Sequence, residues 1–108
     1  MLKAILGNET KEKILLYIYV FKKAYIREIS NVFEIPVRSV ANQLDRLEEG
    51  AVLVSNLEGK IRIYQFNPNY VFLKELLALL EKEYSILPLK EKEKYFIKRK
   101  RPRKREKP

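Results

Sequence analysis

Ile35-Pro36-Val37-Arg38-Ser39-Val40-Ala41-Asn42-Gln43-Leu44-Asp45-Arg46-Leu47-Glu48-Glu49-Gly50 reads as one amphipathic helix over 36–49. Pro36 suits the first turn, where its missing N–H is no loss. Gly50 suits the left-handed residue just past the end. Val37, Val40, Leu44 and Leu47 recur at spacings of three and four, so they share one face. The other face carries Arg38, Ser39, Asn42, Gln43 and Arg46, side chains able to read base edges and phosphates. Directly upstream, Ile26, Ile29, Val32 and Phe33 mark a shorter helix, joined through Glu34-Ile35. Helix, tight turn, helix with a polar outer face is the helix-turn-helix plan. An ordinary helical hairpin with a solvated face would look the same, and the flanking sequence decides between them.

Downstream the period changes. Val52, Val54 and Asn56 alternate with Leu53, Ser55 and Leu57, and Ile61, Ile63 and Gln65 with Arg62, Tyr64 and Phe66. Around Glu58-Gly59-Lys60 these two runs predict a β-hairpin. Its tip, 57–62, carries Lys60 and Arg62. Charged hairpin tips also serve plain solubility, so these two cations are compatible with either role.

Upstream, Asn8 is a good N-cap for a first long helix over Glu9 to Lys23. Its stretch Ile14-Leu15-Leu16-Tyr17-Ile18-Tyr19-Val20-Phe21 is apolar all round. Such a helix needs cover on every side. One small domain is expected to bury one face and a second subunit the other. Ala24-Tyr25 is a short link or minimal strand. After the loop Asn67-Pro68-Asn69, Tyr70 to Tyr84 form another broadly apolar helix, which Ile86-Leu87-Pro88-Leu89 breaks. A last short helix is expected over Lys90 to Lys98. The fold class expected is mainly α with a small β-hairpin: a three-helix core, a wing and a C-terminal dimerisation helix.

The chain's 108 residues suit one domain, 1–97, followed by a tail, 98–108. Lys98, Arg99, Lys100, Arg101, Arg103, Lys104, Arg105 and Lys107 stand against Glu106 alone, so the tail holds +7 of the net +9. Like charges and prolines predict disorder there, and such density of Arg and Lys suits a polyanion. The body is left with +2. There is no cysteine and no histidine, which removes thiolate chemistry, the commonest general base and the commonest metal ligands. No cofactor and no enzymatic activity are expected. No apolar run nears the roughly 20 residues of a membrane span. Met1-Leu2-Lys3 leads straight into a charged helix, not a secretory signal, so a cytoplasmic, nucleoid-associated protein is expected.

In Tyr25-Ile26-Arg27-Glu28-Ile29, and again from Val37 through Leu44-Asp45-Arg46-Leu47-Glu48-Glu49-Gly50 to Leu53, the sequence resembles the winged helix-turn-helix regulators of the ArsR-like group. The resemblance spans about 8–84. Leu6-Gly7-Asn8, and Tyr64-Gln65-Phe66-Asn67-Pro68 after the wing, resemble a subgroup found beside, or fused to, minimal nucleotidyltransferases. What the resemblance implies is a homodimer on double-stranded DNA, with the helix from Pro36 in the major groove and the wing on flanking backbone. By position, Val37, Arg38, Ser39, Asn42 and Gln43 fall on its base-reading surface, Arg46 on a phosphate contact, and Lys60 and Arg62 on the wing. Metal-sensing members use Cys and His ligands, absent from this chain. Pro36 stands where many relatives carry Ser or Thr, and Asp45 is acidic beside the DNA face. A second function class stays open: a protein- or RNA-binding adaptor, or an accessory subunit partnering a nucleotidyltransferase.

Overall fold

The structure, a computed structural model, describes residues 1–97. The expected disorder of 98–108 and its role in binding fall outside the described residues. In chain order the elements are α1 (Lys3–Leu6), α2 (Glu9–Phe21), β1 (Lys23–Ala24), α3 (Ile26–Phe33), α4 (Val37–Glu49), β2 (Leu53–Glu58), β3 (Ile61–Phe66), α5 (Leu73–Ser85) and α6 (Leu89–Tyr95).

Asn8 starts α2 as its residue type suggests: its side-chain oxygen accepts from the Lys11 N–H at 2.7 Å. The helix stops at Phe21 rather than Lys23, because Lys22 turns to φ 78° and the chain leaves as a strand. That strand, β1, pairs antiparallel with β3 through Lys23↔Gln65 and Ala24↔Tyr64. The expected hairpin thus becomes a three-stranded sheet in the order β1-β3-β2.

Two helix ends differ from their sequence reading. Pro36 is the residue before α4, in extended conformation, and the helix begins at Val37. At the other end Gly50 is not left-handed (φ −81°); Ala51 is, at φ 65°. The N–H of Ala51 bonds the Glu48 carbonyl at 3.0 Å and that of Val52 the Leu47 carbonyl at 2.9 Å. These are the paired bonds of a Schellman ending, displaced by one residue from the glycine.

The α3–α4 turn is held tightly. Glu34 adopts the left-handed conformation, and Ser30 Oγ donates to the Ile35 carbonyl at 2.6 Å. The wing turns on Gly59-Lys60 with Glu58 opposite Ile61, and Gly59 supplies the positive φ such a tight hairpin requires. Pro88 precedes α6, which therefore starts at Leu89.

One core joins these elements, centred on Ile14, Leu15, Ile18, Ile29, Val40, Leu44, Leu53 and Leu80. Each such side chain stabilises the fold by roughly 1.5–3 kcal/mol. The expectation that α2 shows a face to a second subunit is corrected for Ile14 through Ile18, which are all buried within the one chain, while Tyr19, Val20 and Phe21 are half-buried. Further core residues come from both ends of the described residues. Leu2 is buried against α2, and Phe96, just past α6, is buried among Phe33, Tyr84 and Tyr95.

Candidate nucleic-acid interface

Helix α4 buries Val40, Leu44 and Leu47 and turns the rest of its surface outward. Arg38, Asn42 and Arg46 are exposed and four residues apart, so they form one stripe along the outer face. Val37 is exposed beside the start of that stripe. Ser39 is half-buried. Gln43 is half-buried too, and its side-chain oxygen accepts from Asn8 Nδ2 at 3.2 Å. The cap residue of α2 thus holds one of the expected base-reading amides. Its NH₂ group keeps its donors.

The wing is tied to the end of α4 by side chains. Arg62 Nη1 donates to Ser55 Oγ at 3.0 Å, and Ser55 Oγ donates to Glu48 Oε2 at 2.7 Å. Lys23 Nζ lies 3.9 Å from Glu58 Oε2, linking β1 to the wing. Lys60 stands exposed at the tip. Tyr64 is buried beneath this region. Burial, followed by the negative charges of Glu48 and Asp45, raises its pKa, so the hydroxyl stays protonated.

One cation near the wing was not legible in the sequence. Arg27, the second residue of α3, lines a shallow cleft with Tyr25, Ile26, Lys60, Ile61 and Arg62. Helical periodicity gives no hint of this, because the β1–β3 pairing brings the start of α3 to the wing. Arg27, Lys60 and Arg62 together form a cationic edge suited to phosphate. Asp45, Glu48 and Glu49 make the far end of α4 acidic, so the cationic surface comprises its first part, the wing and the start of α3. The expected tail contacts, Lys98 to Arg105, lie outside the described residues.

A polar link joins α3, which packs against α4, to α2. Tyr17 OH donates to Glu28 Oε2 at 2.7 Å, while Glu28 Oε1 accepts from the Tyr25 N–H at 3.3 Å. Burial, reinforced by Glu28, raises the Tyr17 pKa and keeps its proton in place. Among the described residues, no cluster of three or more His, Cys, Asp or Glu side chains could hold a metal ion. No helix among them is long and apolar enough to cross a membrane.

No family model and no curated protein matches the sequence. Among solved structures, the chain is similar to Lactococcus lactis ZitR, a double mutant in apo form. Identity is 20% and the TM-score 0.56, over 78% of this chain and 71% of that one. At such identity the likeness is one of fold. With its element order and three-stranded sheet, it establishes that this chain has the winged helix-turn-helix fold.

Proposed function

We propose that the protein is a sequence-specific DNA-binding transcriptional regulator acting as a homodimer. The observation that carries this is the exposed stripe Arg38, Asn42, Arg46 on α4, flanked by Arg27, Lys60 and Arg62. Arg38 and Asn42 are chemically matched to guanine and adenine edges in the major groove. Arg46, Arg27 and the wing cations are matched to phosphates, which fix register without reading sequence.

Of the two segments expected to pair, the one at the start of the chain and α5, it is α5 with its flanks that keeps most of the exposed large apolar side chains. Leu79 is exposed on α5, and Phe72 and Ile86, the residues that flank its two ends, are exposed as well, an apolar stripe. A two-fold pairing along it is the simplest closed way to cover such a stripe. Light scattering at micromolar concentration should give a dimer mass, and Leu79→Glu a monomer.

Selection of bound sites from random duplex DNA tests the function directly. A two-fold related pair of half-sites about one helical turn apart is the expected result. The tail adds affinity without specificity. Deleting 98–108 should weaken binding to selected and scrambled duplexes alike and flatten the log–log salt dependence by roughly 2–5 units per chain. Recovery of no preferred duplex, with RNA or a protein partner still bound, would hand the reading to the adaptor alternative.

A further inference from the structure

A cavity of about 250 Å³ is lined by residues of α2, α3, α5 and α6 and by Met1. Its polar end holds two buried carboxylates, Glu12 on α2 and Glu83 on α5. Glu12 is satisfied: its Oε2 accepts from the Met1 ammonium at 2.9 Å and from the Leu2 N–H at 2.8 Å. Glu83 is not. Its Oε2 lies 3.6 Å from the same ammonium, and its Oε1 has no hydrogen-bond partner among the described residues. One ammonium thus serves two buried carboxylates, which leaves this end one positive charge short. Lys13 does not make up the deficit, since its Nζ pairs with Glu9 at 3.1 Å and lies over the Phe33 ring. Glu91 adds further negative charge to the lining. In a chain of net charge +9 this is a local inversion of sign.

The remaining wall is aromatic. Phe33 and Tyr95 stack with ring centroids 5.0 Å apart, and Phe96 packs beside both. Carboxylates at one end and aromatic faces at the other suit an organic cation with an apolar body. A metal ion suits it poorly. Calcium takes six to eight oxygens, and no third ligand group stands with these two carboxylates among the described residues. The size fits a small molecule, given that a cavity of roughly 150 Å³ already holds benzene.

We propose that this cavity is a binding site for a primary arylalkylammonium compound, its ammonium donating to the Glu83 carboxylate and its ring lying against Phe33, Tyr95 and Phe96. The site is independent of the DNA-binding reading: it can exist whether or not α4 meets a duplex. Without a ligand, a proton fills the deficit. Burial first, then hydrogen bonding with Glu12 and its negative charge, push the Glu83 pKa up to about 7. The other titratable groups lining the cavity are the Met1 ammonium, Glu9, Lys13, Glu91 and Tyr95. A ligand ammonium must displace the Glu83 proton, so binding should tighten as the pH rises.

The probe is phenethylammonium chloride, titrated calorimetrically into the full chain, with 2-phenylethanol as the uncharged match and calcium chloride as the inorganic cation. Saturable binding with a Kd of about 1 mM or tighter at pH 8 is expected for so small a probe. It should weaken about tenfold at pH 6, where the probe is still charged but Glu83 is mostly protonated. Glu83→Gln, which preserves size, should weaken it at least about tenfold at pH 8. The pH arm on the unaltered protein reads the same charge if that variant does not fold. No saturable heat up to about 10 mM, equal binding of the alcohol, tighter binding of calcium, or an affinity indifferent to pH would each overturn the proposal.

Discussion

Helices α2 and α4 are both thirteen residues long and lie in the same small domain, yet they follow opposite rules. Five consecutive residues of α2, Ile14 to Ile18, are buried, and cover comes from the sheet and from α3, α4 and α5. Helix α4 buries only Val40, Leu44 and Leu47. Its exposed residues Arg38, Asn42 and Arg46 take no part in that packing. Side chains whose identity the fold does not fix are where recognition chemistry can be placed at little cost in stability. On the proposed function the two helices would divide the work: α2 serving the fold, and α4 recognition.

The sharpest way to break that contrast is a truncation to alanine in each helix. Ile18 has no solvent exposure. Ile18→Ala should cost about 2–5 kcal/mol, through lost burial and the cavity left behind. Asn42→Ala should change stability by no more than about 0.5 kcal/mol. Chemical denaturation of both variants gives the comparison. Similar losses would mean that α4's outer face is packed against something the monomer does not contain.

Binding should reverse the order. On the best selected duplex, Arg38→Ala and Asn42→Ala should each lose about 1–3 kcal/mol, with far smaller losses on scrambled DNA. Equal losses on both duplexes would make α4 a backbone clamp. A smaller effect separates support from reading. Tyr17→Phe removes the hydroxyl that joins α2 to Glu28 of α3 and should cost about 1.5 kcal/mol of stability. Sequence preference should survive it, because Tyr17 is a buried residue of α2 and takes no part in the exposed stripe of α4. A changed preference would show that the tilt of α3 and α4 is tuned through this bond.

How much of this was readable depended on the range of the interactions. Local signals served well: Asn8 capping α2, the bounds of α3, the switch of period at the wing and the helix break at Pro88 are each set within a few residues. The β1 strand was legible only as a possibility at Ala24-Tyr25, since two residues make a strand only by pairing with β3, some forty positions away. The same distance hid Arg27's place beside the wing and Asn8's hold on Gln43. The cover over α2 was misassigned for a related reason. An all-apolar helix announces that something covers it, but not whether the cover is other helices of the same chain or a second subunit. Lys22 and Ala51 were missed because positive φ is a property of glycine in sequence and of backbone geometry in structure.

Ala51 yields the smallest effect and the cleanest test of how α4 stops. It sits at φ 65° with its N–H bonded to the Glu48 carbonyl, while Gly50, one position earlier, adopts φ −81°. A Cβ in the left-handed region meets backbone oxygen and costs about 1–2 kcal/mol. Glycine removes that strain but gains freedom in the unfolded chain, so Ala51→Gly should stabilise by about 0.5–1 kcal/mol net. At Gly50 an added Cβ would lie 3.5 Å from the Arg46 carbonyl oxygen and 3.9 Å from that of Leu47, both ordinary contacts. Gly50→Ala should therefore be neutral or stabilising by up to about 1 kcal/mol, through the unfolded state alone. The two changes share a helix end but relieve different costs, so the double variant should approach the sum of the singles. Thermal melts of the three variants against the unaltered chain measure this. A loss of stability in Ala51→Gly would mean that the Cβ of Ala51 supports the junction with the wing, beside the bond from Asn67 Nδ2 to the Ala51 carbonyl at 2.9 Å.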